Sequence, residues 1–518
     1  MLARSLSEVE KTIALETLNN KRNGILSAVV FSSDQEEALR EDDTATLASI
    51  RSYRVGSSLL KKALQLLVYE NPELQVCIND DLKYEQIKTI NYHDVLNKLD
   101  FDNVIDEKIN CYHSIPLYLL REIFNKTKFE LNKPLWRIFI VDENMLVFHG
   151  HESLFDNFSV MNLQKKLYNT ICSLEPQKID QQRSGQTLFE SKSAQNFDFP
   201  KSIFDSSKLY LPAVAKDLLQ LQTQSFFKNV YLQTIKKPID FFNSTPQYEI
   251  LNHKTSIVFN FNDLCGNTIF GNISPEQFNN LKKALELENI SLRTFMASLS
   301  MMCLQPFTAS MNKDDFISFC FPMDLRKDLL YYQKDTASLG GLVYKKIIVE
   351  CPLAMISDSA YDNATFHNGY DPKNVKLSKA DPKFAEKLFE YKFNQVAAHI
   401  QSSIDQRVRA WRRNKFNDDD FKRMKFGKKD GQEQKYFEIN DLTAFKLEDK
   451  PIKGKTCEKY KPKEIFFVKS ENPESFMSLS FTYCELSGMN ICIQYPEGYN
   501  MDDYVSNFET LITRLVES

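Results

Sequence analysis

The chain has 518 residues, of which 42% are apolar and 26% charged, and its formal net charge is −4. This length predicts two or more packed units, and this composition argues against long disordered stretches. The near balance of 65 basic and 69 acidic residues argues against a general nucleic-acid-binding protein, which needs a strong basic excess.

The spacing of the cysteines and the length of the apolar stretches indicate the cellular compartment of the protein. Ten cysteines are scattered along the chain, and none forms a C-x-x-C pair or has metal-site spacing. We therefore expect reduced, mostly buried thiols in an intracellular protein. We expect no secretory signal, because the first residues contain no long apolar stretch, and no membrane span, because no window approaches the roughly 18 apolar residues that a span needs.

Helices and short strands are predicted in the first part of the chain. Ser7 and Glu10 have the spacing of a capping box at the start of a helix over residues 5–18. A stripe of apolar residues predicts a second helix from Ser57 to Glu70. Alternating apolar side chains then predict strands at residues 74–78 and in the region 84–90.

A hairpin and a helix are predicted next. Residues 134–151 read as two strands that turn at residues 142–144. Residues 157–174 have the apolar spacing of a helix. The composition of residues 175–200 shifts to Gln, Ser, Lys and Asp, which predicts a loop or linker.

The second half repeats these signals. Ser274 and Pro275, followed by an acidic residue, predict a helix start, and residues 291–304 predict another helix. Residues 405–435 carry many charges of both signs, which favours a solvated helix and loop. Strands are predicted at residues 255–260, 316–321, 478–483 and 490–494, before an amphipathic helix at the end of the chain.

Two of the seven histidines lie close together in the sequence. His149 and His151 are two residues apart at a predicted strand end, so their side chains point to the same face. An imidazole with an unperturbed pKa of roughly 6.5 suits general-base catalysis near neutrality. Taken by themselves, however, the residues favour two ordinary polar side chains that fill the protein interior.

A metal site at this pair is disfavoured. Two histidines on one strand face need a third ligand to hold zinc, and Glu152 points to the other face. The sequence also departs from H-E-x-x-H, because Phe155 stands where the second histidine belongs. We therefore expect no metal.

A longer motif surrounds the histidine pair. Residues 134–137, Pro-Leu-Trp-Arg, begin the predicted hairpin, His151 ends it, and Asp156 follows five residues later. This arrangement resembles the fungal alcohol O-acetyltransferase family, a branch of the H-x-x-x-D superfamily of CoA-dependent acyltransferases that also contains condensation domains. Further segments resemble that family in the same order along nearly the whole chain, at residues 5–11, 60–74, 290–299, 321–326 and 490–498.

The resemblance implies a fold and a mechanism. The fold would be α/β (α+β), chloramphenicol-acetyltransferase-like and condensation-domain-like, with lobes at residues 1–240 and 241–518 and a tunnel between them. Acetyl-CoA would be a co-substrate, with no bound cofactor. His151 would take the acceptor's proton during attack on the thioester carbonyl. Asp156 would brace the loop by pairing with an arginine, for which Arg326 is the candidate.

The spacing departs from the family pattern, because four residues separate His151 from Asp156 where the family has three. Alignment on Asp156 makes Glu152 an alternative base, and His149 is another. Alignment on His151 puts Phe155 in place of the aspartate. An extra loop residue that absorbs the difference, as a β-bulge does, is the interpretation that we favour.

Two classes of function follow, of which the sequence favours the first. The first is an enzyme of ester biosynthesis that transfers acetyl from acetyl-CoA to a small alcohol, or alternatively to an amine-bearing, lipid-like acceptor. The second is a non-catalytic relative that keeps the fold to bind a lipid, a CoA ester or a protein. In both cases we expect a cytoplasmic monomer that binds no nucleic acid. Its amphipathic terminal helices would allow peripheral contact with a lipid droplet or the endoplasmic reticulum.

Overall fold

The fold is seen in a computed structural model of the chain. The residues that it describes are 3–32, 55–99, 113–141, 145–174, 186–191, 197–200, 264–304, 316–329, 332, 339–356, 382–414, 436–447, 461–471, 473–497 and 501–517. Within them, the chain forms a five-stranded and a six-stranded β-sheet together with two smaller sheets.

The strands of the described residues are mostly runs of β-branched and aromatic side chains, which suit a buried, pleated surface. In chain order they are β1 (Ala3–Ser5), β2 (Ile25–Ser32), β3 (Val76–Ile78), β4 (Lys83–Gln86), β5 (Thr89–Asn91), β6 (Leu96–Leu99), β7 (Trp136–Val141), β8 (Met145–Gly150), β9 (Thr187–Glu190), β10 (Asn267–Ile273), β11 (Phe316–Asp324), β12 (Tyr344–Pro352), β13 (Tyr436–Asp441), β14 (Lys461–Lys469), β15 (Ser475–Cys484) and β16 (Gly488–Tyr495).

The helices of the described residues begin at polar caps in several cases, as at Ser7 and Ser274. In chain order they are α1 (Glu8–Leu18), α2 (Ser57–Glu70), α3 (Tyr92–Val95), α4 (Leu117–Arg121), α5 (Asn157–Ser173), α6 (Pro275–Leu287), α7 (Leu292–Cys303), α8 (Pro382–Asn414) and α9 (Asp502–Glu517). A π-helical turn, Glu122–Lys126, continues α4.

The first lobe is built on the five-stranded sheet, in the order β14-β2-β8-β7-β6. Its central strand, β8, pairs antiparallel with both β2 and β7. An apolar core joins one sheet face to α2 and α5, with Leu64 and Leu167 among its fully buried residues. The other face packs against α4 and the π-helical turn through residues such as Phe124 and Phe139. The end of β8 is therefore held from both sides.

The second lobe is built on the six-stranded sheet, in the order β10-β16-β15-β13-β11-β12. Its largest core joins the sheet to α6, α7, α8 and α9. Phe319 and Phe481 from the sheet and Met296 and Tyr504 from the helices are buried there. The two lobes confirm the predicted mixed α/β class.

One strand from the second half of the chain belongs to the first lobe. β14 pairs antiparallel with β2, from Lys461 opposite Ser32 to Lys469 opposite Ile25. The lobes are thus joined by a shared strand as well as by packing. The predicted boundary at residue 240 lies outside the described residues and stays a prediction.

Most of the predicted elements are present. The hairpin is confirmed as β7 and β8, and its predicted turn at 142–144 lies outside the described residues. The helices predicted at 57–70, 157–174 and 291–304 are confirmed as α2, α5 and α7. The predicted strand at 255–260 and residues 415–435 also lie outside the described residues.

Two assignments are corrected. Residues 175–200 were predicted as a loop, but β9 forms there because Thr187–Glu190 pairs with β5. Leu74 was predicted in a strand but lies in a 3-10 turn, Pro72–Gln75, that begins at a proline. Both errors involve short segments, in which a tertiary partner decides the backbone conformation.

Candidate functional site

The loop between β8 and α5 carries three of the four predicted site residues, and His149 lies at the end of β8 itself. The N–H of His151 donates to the carbonyl of Leu135 at 2.9 Å, and its own carbonyl accepts the N–H groups of Leu154 and Phe155, both at 3.0 Å. This tight turn accommodates the fourth intervening residue. His151 therefore stays at the strand end, while the next helix still begins at its aspartate cap.

Phe155 is part of the core and takes no polar role. Its side chain is fully buried and packs edge to face on Phe148, with ring centroids 5.9 Å apart. Gly150 leaves space for it, because a Cβ at that position would lie 3.0 Å from the Phe155 ring. The backbone of Phe155 also forms a parallel bridge with Gly341. The extra residue of the motif thus anchors the loop to apolar surroundings.

Asp156 is held by an arginine, as the resemblance implies. Its carboxylate accepts hydrogen bonds from Nη2 of Arg326 at 3.0 and 3.1 Å, from the N–H of Ser159 at 2.7 Å and from the N–H of Val343 at 2.9 Å. Burial by itself lowers the pKa of Arg326, but Asp156 and Asp324 raise it above its usual value. This buried pair joins the helix cap in the first lobe to the turn after β11 in the second lobe.

His149 has a structural environment. Its ring is fully buried among Phe124, Phe129 and Phe139, with centroid distances of 5.6, 4.7 and 6.3 Å. Its Nε2 lies 2.6 Å from the carbonyl oxygen of Asn23, and since a carbonyl only accepts, Nε2 carries the proton. Burial lowers the pKa of His149 to about 3. The ring is therefore a neutral donor that secures the segment before β2.

His151 lies on the same face, as its spacing predicts, and its ring contacts Phe129 at 5.1 Å between centroids. The residue is 3% exposed. Nδ1 accepts the N–H of Ser153 at 3.0 Å. That peptide is fixed in turn, because the hydroxyl of Tyr84 donates to the carbonyl of Ser153 at 2.7 Å. The ring is thus held by the loop that it begins.

The hydrogen bonds of His151 select its tautomer. The N–H of Ser153 is directed at Nδ1, and a protonated Nδ1 could not accept it. We therefore assign the proton of the neutral ring to Nε2.

The electrostatic surroundings oppose a second proton on His151. Burial lowers its pKa to about 3, and the nearby charge of Arg22 and the ring of His149 act in the same direction. A general base works best when its pKa lies near the operating pH. At neutral pH the ring is therefore uncharged, with one nitrogen protonated and the other accepting a hydrogen bond.

Glu152 is turned toward Arg22 and is 7% exposed. Nη1 of Arg22 donates to Oε2 of Glu152 at 3.1 Å, and Nζ of Lys469 lies 4.0 Å from the same oxygen. Oε1 of Glu152 has no hydrogen-bond partner among the described residues. Arg22 also pairs with Glu16, and its Nη2 lies 3.9 Å from Glu474. The carboxylate is thus held mainly in ion pairs.

These pairs belong to a larger group of buried and partly buried polar side chains between the lobes, most of them charged, which we call the junction cluster. Nζ of Lys469 donates to Glu438 at 2.8 Å, and the hydroxyl of Tyr436 donates to Glu474 at 2.7 Å. Burial raises the pKa of Glu474, but Lys346 and Arg22 lower it to about 2 overall. The members of the junction cluster are Glu16, Arg22, Glu152, Lys346, Tyr436, Glu438, Lys469 and Glu474.

Sequence reasoning found one side of this site and missed the other. Arg22 and Lys469 carry no motif, and they are 447 residues apart. A weak local signal exists at Gly24, whose φ of +84° marks a fixed turn beside Arg22. Within the described residues, no group of three metal-ligand side chains is suited to a metal ion, and no helix is long and apolar enough to cross a membrane.

Comparison with solved structures identifies the architecture. The chain superposes on the first condensation domain of the calcium-dependent antibiotic synthetase with a TM-score of 0.53, covering 100% of this chain and 96% of that chain at 11% identity. It superposes on the TRI3 trichothecene 15-O-acetyltransferase from Fusarium sporotrichioides with a TM-score of 0.54, covering 99% and 94% at 11% identity. The chain therefore has the two-lobed fold of condensation domains and CoA-dependent acyltransferases.

Comparison of sequences finds one full-length relative. No family model matches the chain. The chain is 35% identical over 534 residues to the PSTB2-interacting protein 1 of Saccharomyces cerevisiae, covering 98% of this chain and 99% of that protein. Identity at this level over both full lengths means common descent and a common fold. The chain belongs to the family of the PSTB2-interacting protein 1.

Proposed function

We propose that this chain is a non-catalytic member of the acyltransferase fold that functions by binding another protein, and that its partner is a protein of the PSTB2 kind. The partner is inferred from the name of the S. cerevisiae relative, which describes that protein as interacting with PSTB2. The identity covers both chains almost completely, so a partner-binding surface on either lobe of the relative would have its counterpart in this chain. This is the protein-binding form of the second function class predicted from the sequence.

One observation carries the non-catalytic part of the proposal, namely the hydrogen bond from the N–H of Ser153 to Nδ1 of His151. A general base needs an unprotonated nitrogen with a free lone pair. In the assigned tautomer Nε2 holds a proton, and the lone pair of Nδ1 is engaged. His151 is therefore a hydrogen-bond donor, and the other candidates do not replace it.

The alternative bases are paired or closed to solvent. Nε2 of His149 donates to the Asn23 carbonyl, and its Nδ1 is buried, with no hydrogen-bond partner among the described residues. Glu152 forms an ion pair with Arg22, and a carboxylate that pairs with a cation is a weak base. The four predicted site residues are thus assigned to structural contacts in this proposal.

A second candidate function is acetyl transfer from acetyl-CoA to a small alcohol, or to an amine-bearing acceptor. It is favoured by the fold and by the pair of Asp156 and Arg326, which matches the brace implied by the family. His151 would have to adopt the other tautomer, with Nδ1 donating to its own carbonyl and Nε2 free. It would take the acceptor's proton as the acceptor attacks the thioester carbonyl. The C–S bond would then break, and His151 would return the proton to the CoA sulfur, which leaves as the free thiol.

Two measurements on the purified full-length protein separate these functions. The first is release of free thiol from acetyl-CoA with a panel of alcohols and amines, for wild type, His151→Ala and Glu152→Ala. The second is the affinity for the purified PSTB2 protein of the same organism, measured by titration calorimetry. We expect no thiol release above the rate in buffer. We also expect His151→Ala to bind PSTB2 with an affinity within about twofold of wild type, because His151 is buried and so lies away from any binding surface.

A surface histidine supplies the matched control. The side chain of His93 is 70% exposed and lies 3.5 Å from Asp94, outside the loop after β8. His93→Ala should behave as wild type in both measurements. Thiol release that disappears in His151→Ala but persists in His93→Ala would establish the transferase instead, and its loss in Glu152→Ala alone would assign the base to that carboxylate. If the protein does not bind PSTB2 in this assay, the proposed partner is wrong.

A further inference from the structure

Tyr84 lies on the central strand of the three-stranded sheet β1-β4-β3. Its backbone is fixed from both sides, because Arg4 of β1 and Ile78 of β3 are its register partners. Its side chain is fully buried in the same apolar core as Leu154 and Phe155, which belong to the loop between β8 and α5. Tyr84 therefore presents its hydroxyl group to that loop from a constrained strand.

The hydroxyl group of Tyr84 holds Ser153 of the loop by two contacts. It donates to the carbonyl oxygen of Ser153 at 2.7 Å and lies 3.2 Å from Oγ. Burial raises the pKa of Tyr84 well above its usual value, so the hydroxyl keeps its proton and remains a donor. Ser153 is fully buried, and among the described residues no other donor contacts its carbonyl. Loss of the hydroxyl would therefore leave a buried acceptor unsatisfied.

The other backbone group of Ser153 contacts the histidine ring. Its N–H donates to Nδ1 of His151 at 3.0 Å. The N–H and the carbonyl belong to one residue, so a bond that fixes the carbonyl also restricts the backbone rotation that would turn the N–H away from Nδ1. A ring nitrogen that accepts an N–H holds no proton of its own. The orientation of Ser153 therefore decides the tautomer of His151.

The ring of Tyr84 is held on its face by a cation. Cζ of Arg4 lies 4.8 Å from the ring centroid, a distance at which a guanidinium is attracted to the aromatic face. Arg4 is fixed in turn by Glu10, at 2.7 Å, and the Glu10 carboxylate also accepts the N–H of Ser7 at the start of α1. The phenol ring of Tyr84 is thus secured on its face by Arg4 and at its hydroxyl by Ser153.

We propose that Tyr84 is a positioning residue that keeps Nδ1 of His151 occupied as a hydrogen-bond acceptor, by fixing Ser153 through its hydroxyl group. The effect of Tyr84 on the ring passes through Ser153. The inference deepens the proposed non-catalytic function and rests on it, because an occupied Nδ1 leaves Nε2 as a donor. It assigns the state of His151 to a residue of β4, outside the motif that carries the histidine.

The test reads the tautomer of His151 directly. The full-length protein is labelled with nitrogen-15 in its histidine rings, and the His151 resonances are assigned by their disappearance in His151→Gln. In wild type at neutral pH we expect one unprotonated nitrogen, Nδ1, and one protonated nitrogen, Nε2, with well-separated shifts. In Tyr84→Phe, which removes only the hydroxyl, the two shifts should move toward each other as the other tautomer becomes populated. Protection of the Ser153 N–H from hydrogen exchange should fall by about three- to tenfold.

Tyr92 supplies a matched control. Its hydroxyl also donates to a backbone carbonyl, that of Lys61 at 3.2 Å, and Nζ of Lys61 lies 5.2 Å from its ring centroid. Tyr92→Phe therefore loses the same kinds of contact away from the loop and should leave both measurements unchanged. Ser153→Ala removes Oγ but keeps the carbonyl and the N–H, so it should retain the wild-type tautomer. Circular dichroism establishes that each variant is folded.

The outcomes are separable from those of the proposed function. Unchanged His151 shifts in folded Tyr84→Phe would overturn the role of Tyr84, and so would an equal change in Tyr92→Phe. If Tyr84→Phe does not fold, wild type decides, because its Tyr84 hydroxyl proton should exchange slowly and show a nuclear Overhauser effect to Ser153, and absence of that signal would overturn the role. Thiol release by wild type would overturn the non-catalytic function while leaving the measured effect of Tyr84 on His151 intact.

Discussion

The two ends of the loop between β8 and α5 differ in what they keep of the acyltransferase-like motif. At the helix end, Asp156 pairs with Arg326 across the lobes, as the resemblance implies. At the strand end, His151 accepts an N–H from Ser153, and its neighbour Glu152 pairs with Arg22. The ion pair that joins the lobes is present, whereas Nδ1 of His151, the unprotonated nitrogen of the ring, already accepts a hydrogen bond. The contact that holds the lobes together and the nitrogen that catalysis would need therefore lie at opposite ends of this loop, and one is kept without the other.

The largest expected effect is at the helix end. Asp156→Ala removes the carboxylate from a buried pair and leaves Arg326 with less compensation, so unfolding free energy should fall by about 3–5 kcal/mol in urea titrations. Asp324→Ala is the matched control, because Asp324 pairs with the same arginine but its side chain is 24% exposed. Equal losses in the two variants would contradict a special role for the Asp156 contact.

A backbone change at the strand end should have the next largest effect. Gly24 has a φ of +84°, and a Cβ there would lie 2.4 Å from the carbonyl oxygen of Gly150. Gly24→Ala should cost about 2–3 kcal/mol, because the left-handed backbone and the clash add. Gly56→Ala is the control, since Gly56 has a φ of −56° and a Cβ there meets nothing within 4 Å. A comparable loss at Gly56 would refute the steric argument.

The histidine pair should make stability depend on pH. Burial lowers the pKa of His149 and of His151 to about 3. In the unfolded chain both titrate near roughly 6.5, so below that pH the unfolded state binds more protons and stability falls as the pH falls. His151→Gln should reduce the loss of unfolding free energy between about pH 7 and about pH 5 by about 2 kcal/mol.

The same measurement on His93→Gln gives the control, because that side chain is exposed and lies outside the loop after β8. Urea titrations at a series of pH values supply both curves. A His151→Gln curve that runs parallel to wild type would mean that His151 already titrates normally in the folded protein. The strand end would then be available for base chemistry after all.

The smallest expected effect concerns a neutral contact between the lobes. The side-chain amide of Asn157 donates to Oδ1 of Asn440 at 2.6 Å, and both residues are buried. Asn157→Ala should reduce the unfolding free energy by about 1 kcal/mol, the usual net value of one such hydrogen bond. A loss as large as that of Asp156→Ala would show that neutral contacts hold the lobes as strongly as the ion pair does.

Local signals were enough for the long elements near the site. The capping box at Ser7 and the apolar stripe of α2 act within a few residues, so a single sequence reveals them. The same holds for the hairpin of β7 and β8 and for the helix that begins at Asp156. In contrast, β9 became a strand only through its partner β5, which lies about a hundred residues away.

The sequence by itself determined the hairpin that puts the histidines at a strand end and the helix that follows it, because hydrophobic periodicity and turn signals are short-range effects, while the resemblance to the acyltransferase family implied the α/β class. Only the tertiary structure decided which nitrogen of His151 accepts the N–H of Ser153, where Glu152 points and that Arg22 pairs with it. Those properties depend on hydrogen bonds and charges from segments such as residues 20–24 and 461–474, which meet only in the folded chain.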